Sequence, residues 1–398
     1  MNKRLTLNDK KMKKIMFLLA CASVMAASAQ VSVVKEAAKA IGGKVEAQQA
    51  ALELLQPALT NAETANDANT WYTAGRLAFG IADLLQVQSA KDGAADVNLM
   101  GSSLFSGFEY MQKALPLDTI VEVDKKTGAP KLDKDGNAKV KTKFSKDILS
   151  QMAGHVTDAM KLGDAFLNLP DYAKAADAYE FYLNNINSPA ARMFNVAVPA
   201  DTVLGNIHFL VGYSTYFADG DKDYVRAFNS FNKALELGYT ANQTADFRNA
   251  SFVAHVQALL ADDARKTEVI PFIDNAIAAD PEVANFYDIK GQVLMGDGKL
   301  DEAKNLFKKS MSIDPAYGDS YLNYARALYE EADRFIADNQ QMTDKQLAPT
   351  LIPLYEEAMP YLERAITLDK SENQVLVKQA NSIKEDIDYK FELLGHKR

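Results

Sequence analysis

Cysteine is almost missing from this chain, which has a single one, Cys21, among 398 residues. It lies in an apolar stretch close to the N-terminus, so a chain cleaved behind that stretch has no thiol, which excludes disulfides, thiolate metal sites and a cysteine nucleophile. Histidine is nearly as scarce. His155, His208, His255 and His396 are the whole supply, and none belongs to a His-Glu-x-x-His helix or another recognisable ligand spacing, so the sequence supports neither a metal nor a catalytic centre built on one. No P-loop, dinucleotide fingerprint or Gly-x-Ser-x-Gly elbow occurs, and no cofactor is implied. Ser230-x-x-Lys233 has the spacing of a serine-lysine hydrolase, but it falls between Phe231 and Ala234 of an amphipathic helix, where that spacing is a coincidence of one helix surface. The sequence points away from an enzyme. After residue 30 there is also no apolar run long enough to cross a bilayer.

What is present is ample core material: 48% of residues are hydrophobic and 24% charged, without the signature of disorder. The first residues stand apart. Lys10, Lys11, Lys13 and Lys14 precede an apolar run from Ile15 to Ala27 that closes in Ala27-Ser28-Ala29, the layout of a secretory signal peptide over residues 1–29 with cleavage before Gln30. Met12 would serve equally as initiator and leave a shorter basic region. Leu18-Leu19-Ala20-Cys21 also resembles a lipobox, in which Cys21 would carry lipid and anchor the chain to a membrane; the short apolar run ahead of Cys21 and its continuation to Ala27 speak against this. Without residues 1–29, which hold six Lys/Arg and one Asp, the balance is 38 basic against 52 acidic residues, a net −14. Such a surface repels phosphate backbones and anionic lipid, so no nucleic-acid partner is expected. The expected location is exported, periplasmic or secreted, with the lipid-anchored outer-membrane form as the alternative.

The body of the chain repeats itself. In "FYDIKGQVLMGDGKLDEAKNLFKKSMSIDP", Tyr287, Gly291, Leu294, Leu300, Ala303, Phe307 and Ser310 recur at spacings of three and four, which puts them on one face of each of two helices joined by Gly296-Asp297-Gly298. Gly291 and Ala303 let the two backbones approach, Tyr287, Leu294 and Phe307 fill the space around them, and Pro315 ends the second helix. This pattern resembles the tetratricopeptide repeat, with Lys290 standing where that family has leucine. Pro281 lies one period before Pro315. Upstream, Gly212, Tyr224, Ala227, Phe231 and Ala234, then Leu162, Gly163, Phe166, Tyr172, Ala175 and Tyr179, then Trp71 and Gly75 keep the register, and downstream Ala358, Leu362 and Ala365 do so. The resemblance implies an all-α fold: a superhelical solenoid of about six helix-turn-helix repeats over residues 68–370. Residues 30–67 read as an N-terminal helical cap and 371–398 as a C-terminal capping helix. Between Leu328 and Leu354 roughly twenty extra residues imply longer helices and a polar turn around "NQQMTDKQLAP", with the second helix resuming at Leu354.

One stretch, residues 119–145, is not helical in character. Turn signals at Thr127-Gly128-Ala129-Pro130 and Asp135-Gly136-Asn137, flanked by β-branched residues and Lys139, Lys141 and Lys143, predict a surface β-hairpin inserted between the first two repeats. Asp133-x-Asp135-Gly136 lacks the remaining ligands of a calcium loop.

The resemblance also implies a function carried by shape. First helices of stacked repeats line a groove, and their residues facing away from the small-residue seam are Tyr72, Arg76, Met160, Asp164, Phe209, Tyr213, Asp288, Gln292, Leu322 and Arg326, with Asn323 beside them. This mixture suits an extended peptide or a partner's loop and does not reproduce the basic carboxylate clamp of co-chaperones of the family. The reading is a non-catalytic protein- or peptide-binding scaffold of the bacterial cell envelope. The alternative is a solute- or glycan-binding outer-membrane lipoprotein, some of which are built on a similar core. Asp118-Thr119-Ile120 and Asp201-Thr202-Val203 resemble an O-glycosylation motif of some exported bacterial proteins.

Overall fold

The computed structural model describes residues 31–93 and 95–396. The signal-peptide reading of residues 1–29, with Cys21, lies outside them. The described residues form two compact units, divided between Arg248 and Asn249, early in one helix, α10. In the first unit, helical residues 31–38 (α1) and α2 (Val45–Thr60) precede the pairs α3 (Ala68–Asp92) with α4 (Val97–Leu117), α5 (Ser145–Asn168) with α6 (Tyr172–Asn185), and, after the short α7 (Pro189–Met193), α8 (Asp201–Phe217) with α9 (Tyr224–Glu236). The second unit holds α10 (Thr244–Ala261), α11 (Val269–Ala279), α12 (Ala284–Gly296), α13 (Leu300–Ile313), α14 (Gly318–Asp338), α15 (Asp344–Leu368) and α16 (Val375–Leu393). Here α12 pairs with α13 and α14 with α15, while α16 covers α14 and α15. Within each unit successive pairs stack, which is the construction of a helical solenoid.

The seams are built as the small residues require. A Cβ on Gly291 would stand 2.5 Å from the ring of Phe307; on Gly163, 2.6 Å from Tyr179; on Gly212, 2.8 Å from Phe231. Each glycine on a first helix thus receives the aromatic ring of its own second helix, and only a missing side chain leaves that room. Phe307, Tyr179 and Phe231 are all fully buried. The first pair adds a reciprocal contact: Gly107 of α4 receives Phe79 of α3. The departure at Lys290 is accommodated by an ion pair with Asp274 at 2.6 Å.

One expectation needs correction. The polar turn in the last pair is confined to residues 339–343, and α15 resumes at Asp344, well before Leu354. Gln346 Oε1 accepts from the backbone N of Thr343 at 2.9 Å and from its hydroxyl at 3.0 Å, a cap that starts the helix early. Pro349, Pro353 and Pro360 then lie within α15 on its exposed side, while Leu351, Tyr355, Ala358 and Leu362 are buried on the other; their packing outweighs the lost backbone hydrogen bonds. The insertion forms the expected small hairpin: β1 (Ile120–Val121) pairs antiparallel with β2 (Val140–Lys141) at its base. Beyond that pair Val123 bridges Pro130 and Leu132 bridges Ala138, so both turns fold within it. Asp133 Oδ1 is taken by the amides of Asp135 and Asn137, each at 2.9 Å, as an Asx turn requires.

Asp118 holds the neck of this insertion. Its buried carboxylate accepts from the amides of Lys143 (3.0 Å), Phe144 (2.7 Å) and Ser145 (2.6 Å) and from the Ser145 hydroxyl (2.7 Å), and so caps the N-terminus of α5 from across the insertion. Burial raises its pKa, but these donors outweigh burial and hold it below the ordinary carboxylate value. Thr119 and Thr202 are both exposed.

Candidate functional site

First helices of neighbouring repeats leave a cleft of about 540 Å3 between α10 and α12 in the second unit. Its body is aliphatic: Val253, Val256 and Leu260 from α10, Ile289 and Val293 from α12. The spacings 253, 256, 260 and 289, 293 place these side chains on one stripe of each helix. Two exposed amides, Gln257 and Gln292, flank the apolar floor, and Lys266 and Asp297 stand at its ends. Leu260 is 40% exposed, a large apolar side chain left open to a ligand.

Behind Gln292 lies a polar network. Gln292 Nε2 donates to Asp288 Oδ2 at 2.8 Å, the Ser320 hydroxyl donates to Asp288 Oδ1 at 2.9 Å, and the Asn323 amide bridges both oxygens at 3.1 and 3.2 Å. Ser320 also meets the Ser310 hydroxyl at 2.7 Å, which in turn donates to the Ala284 carbonyl at 2.8 Å. Arg326 donates to the Asn323 side-chain Oδ1 and to Oε1 of Gln379 on α16. Asp288 is fully buried and held by amides and a hydroxyl, with the Arg326 guanidinium near enough to feel its charge. Burial therefore raises its pKa to about 6, against the lowering effect of the Asn323, Gln292 and Ser320 hydrogen bonds. The network locks α12 to α14 and fixes the rotamer of Gln292 at the rim of the cleft.

The residues expected along one groove are thus divided. Asp288, Gln292, Asn323 and Arg326 come together, but only Gln292 reaches the cleft. Leu322, at 1% exposed, and Phe209, at 5%, are core residues and not groove-lining. Tyr213 belongs to a ring cluster with Phe217 and Phe247, at 4.6 and 5.7 Å between centroids. Tyr72 stacks on Phe144 at 4.5 Å and donates to Asp147 at 2.7 Å, with Arg76 above its ring; Met160 packs on the apolar core of the first unit; exposed Asp164 accepts from Tyr179 at 2.6 Å. A first helix is flanked by the next repeat as well as by its own partner, so the strip left for a ligand is narrower than one helix face. Val253, Gln257 and Leu260 were not anticipated because α10 carries no glycine to mark its seam; the stripe of valine, amide and leucine was the available signal. Lys233 is engaged by Glu236 at 2.8 Å, which fits its place on a solvated helix surface.

The tetratricopeptide-repeat family model matches residues 284–317, the α12/α13 pair whose glycine-aromatic seam recurs in the pairs α5/α6 and α8/α9. Residues 284–317 form a tetratricopeptide repeat. Among solved structures the chain is similar to the MamA protein, with 21% identity over 56% of this chain and 96% of that one and a TM-score of 0.30. It is also similar to YrrB, described as a TPR protein with an unusual peptide-binding site (15% identity, 60% and 99% covered, TM-score 0.30), and to a TPR repeats protein from Bacteroides fragilis NCTC 9343 (17% identity, 58% and 98% covered, TM-score 0.32). Scores this low carry no functional argument. No match among curated proteins was found.

Proposed function

We propose that this protein is a non-catalytic tetratricopeptide-repeat scaffold of the bacterial cell envelope that binds a protein or peptide partner through the first-helix face of its repeats. The observation that carries this reading is the cleft between α10 and α12: an aliphatic floor with Leu260 exposed, and two glutamine amides beside it. An extended peptide needs both parts. One aliphatic side chain seated on the floor contributes about 1.5–3 kcal/mol, and the amides offer donor and acceptor to the peptide backbone, which sets its direction. Gln292 is held in place by Asp288 before any partner arrives, so little rotamer entropy is lost on binding.

The test is selection of peptides from a random library on the full chain, followed by binding measurements with Leu260→Glu and Gln257→Glu. Both positions border solvent, so the fold tolerates them. Selected peptides are expected to lose at least about tenfold in affinity to each variant, or about 1.4 kcal/mol. Peptides that bind both variants as well as the native chain would refute the cleft as the seat of binding.

Export rests on residues 1–29. Among the described residues no helix is long and apolar enough to cross a membrane. Mass spectrometry of the mature N-terminus is expected to show Gln30 first; a lipid-bearing Cys21 would instead support the lipoprotein alternative.

A further inference from the structure

In the first unit, three side chains from two facing first helices converge on one point. His155 and Asp158 are one turn apart on α5 and share a face, and Asp83 reaches across from α3. His155 Nδ1 lies 3.1 Å from Asp158 Oδ2 and 3.6 Å from Asp83 Oδ1, and the three donor atoms all lie within 4.8 Å of one another. A tetrahedral ion with bonds of about 2.0–2.2 Å separates its ligand atoms by about 3.4 Å, so both nitrogen–oxygen distances straddle the value such an ion needs. We propose that Asp83, His155 and Asp158 form a binding site for one divalent transition-metal ion such as Zn2+, with further positions open to water or a partner.

The surroundings treat the three groups as ligands are treated. The imidazole is 8% exposed and stacked on Phe79 with 4.1 Å between ring centroids, which fixes its plane. Asp158 is held through its other oxygen: Gln86 Nε2 and Lys161 Nζ donate to Oδ1 at 3.1 and 2.9 Å, which leaves Oδ2 aimed at the histidine. Outer hydrogen bonds that orient a first ligand oxygen are what metal sites depend on for affinity. The two carboxylates converge on one imidazole from facing helices, and a cation between them would relieve their mutual repulsion. Asp83 is the most exposed of the three, its side chain 56% open to solvent. One imidazole nitrogen with two carboxylates favours zinc and its neighbours over calcium or magnesium, which prefer oxygen alone. The Lys161 ammonium is bound to the far oxygen and its side chain is 57% exposed, so it can move off as an ion enters.

The probe is Co2+, titrated into the chelator-treated full chain at neutral pH and read by visible ligand-field absorption, with Zn2+ competition. One equivalent should bind, Zn2+ should displace it, and Asp83→Asn should weaken binding at least tenfold. His155→Gln should abolish the absorption band; should that variant lose its helical circular dichroism, Asp83→Asn carries the test alone, because Asp83 is exposed. Absence of binding tighter than about 1 mM, or an Asp83→Asn variant with unchanged affinity, overturns the proposal and leaves an imidazole held by two carboxylates.

Discussion

Replacement of Gly291 by alanine puts the repeat seam to a quantitative test. The new methyl carbon would stand 2.5, 2.9 and 3.0 Å from three atoms of the Phe307 ring, where carbon atoms in contact prefer about 3.5–4.0 Å. The ring must retreat by about 1 Å, and it is fully buried with core on every side. Overpacking of this kind costs about 1–3 kcal/mol, while alanine in place of glycine inside a helix returns about 1 kcal/mol, so Gly291→Ala should be destabilised by about 0–2 kcal/mol. The chain contains its own control. Gly154, within α5, has open space where its Cβ would be, so Gly154→Ala gains the helix term alone and should be stabilised by about 0.5–1 kcal/mol. The two variants should therefore differ by about 1–3 kcal/mol in opposite directions from the native chain. Equilibrium urea unfolding followed by far-ultraviolet circular dichroism measures this. Pairing Gly291→Ala with Phe307→Leu should recover part of the loss, because the smaller side chain makes room. If Gly291→Ala is as stable as Gly154→Ala, the close approach of the two helices is not what the glycine is for, and the structural account of the repeat fails.

Two other perturbations follow from buried carboxylates. Asp288 titrates near 6 in the folded chain and near the ordinary carboxylate value when unfolded, so its contribution is fully present below about pH 4 and is lost as pH rises through about 6. The unfolding free energy of the native chain should fall relative to Asp288→Asn by about 2–3 kcal/mol between pH 4 and 7; parallel pH profiles for the two proteins would contradict the burial of this carboxylate. Asp118→Ala should cost at least about 2 kcal/mol, since three backbone amides at the start of α5 lose their acceptor. Hydrogen exchange at Lys143, Phe144 and Ser145 should accelerate in that variant, and unchanged protection there would show that the clamp contributes nothing.

Much of the fold is written in local spacing. The glycines at 163, 212 and 291, the aromatic residues that meet them, and the helix ends at Gly296 and Pro315 are set by contacts between residues close in sequence, so a single chain displays them as a pattern. Even the turns of the insertion are legible, because Asp124, Asp133, Gly128 and Gly136 form them with their own neighbours. The candidate site is a different matter. Phe209, Leu322, Asp288 and Asn323 look like groove residues by helical position, and they are buried because of helices that lie well along the chain from them. Whether an outward-facing side chain is open or covered depends on what packs over it, and no spacing within one helix reports that.

The sequence by itself therefore determined the repeat, its period and its seams, since each repeat closes its own pair of helices with its own residues. Only the tertiary structure decided which strip of the first helices stays open, how far α15 runs through three prolines, that Asp288 is buried among amides and a hydroxyl, and that Asp83 meets His155 and Asp158. Those outcomes belong to contacts between separate repeats, where packing of one surface on another, and the removal of water between them, sets both exposure and charge.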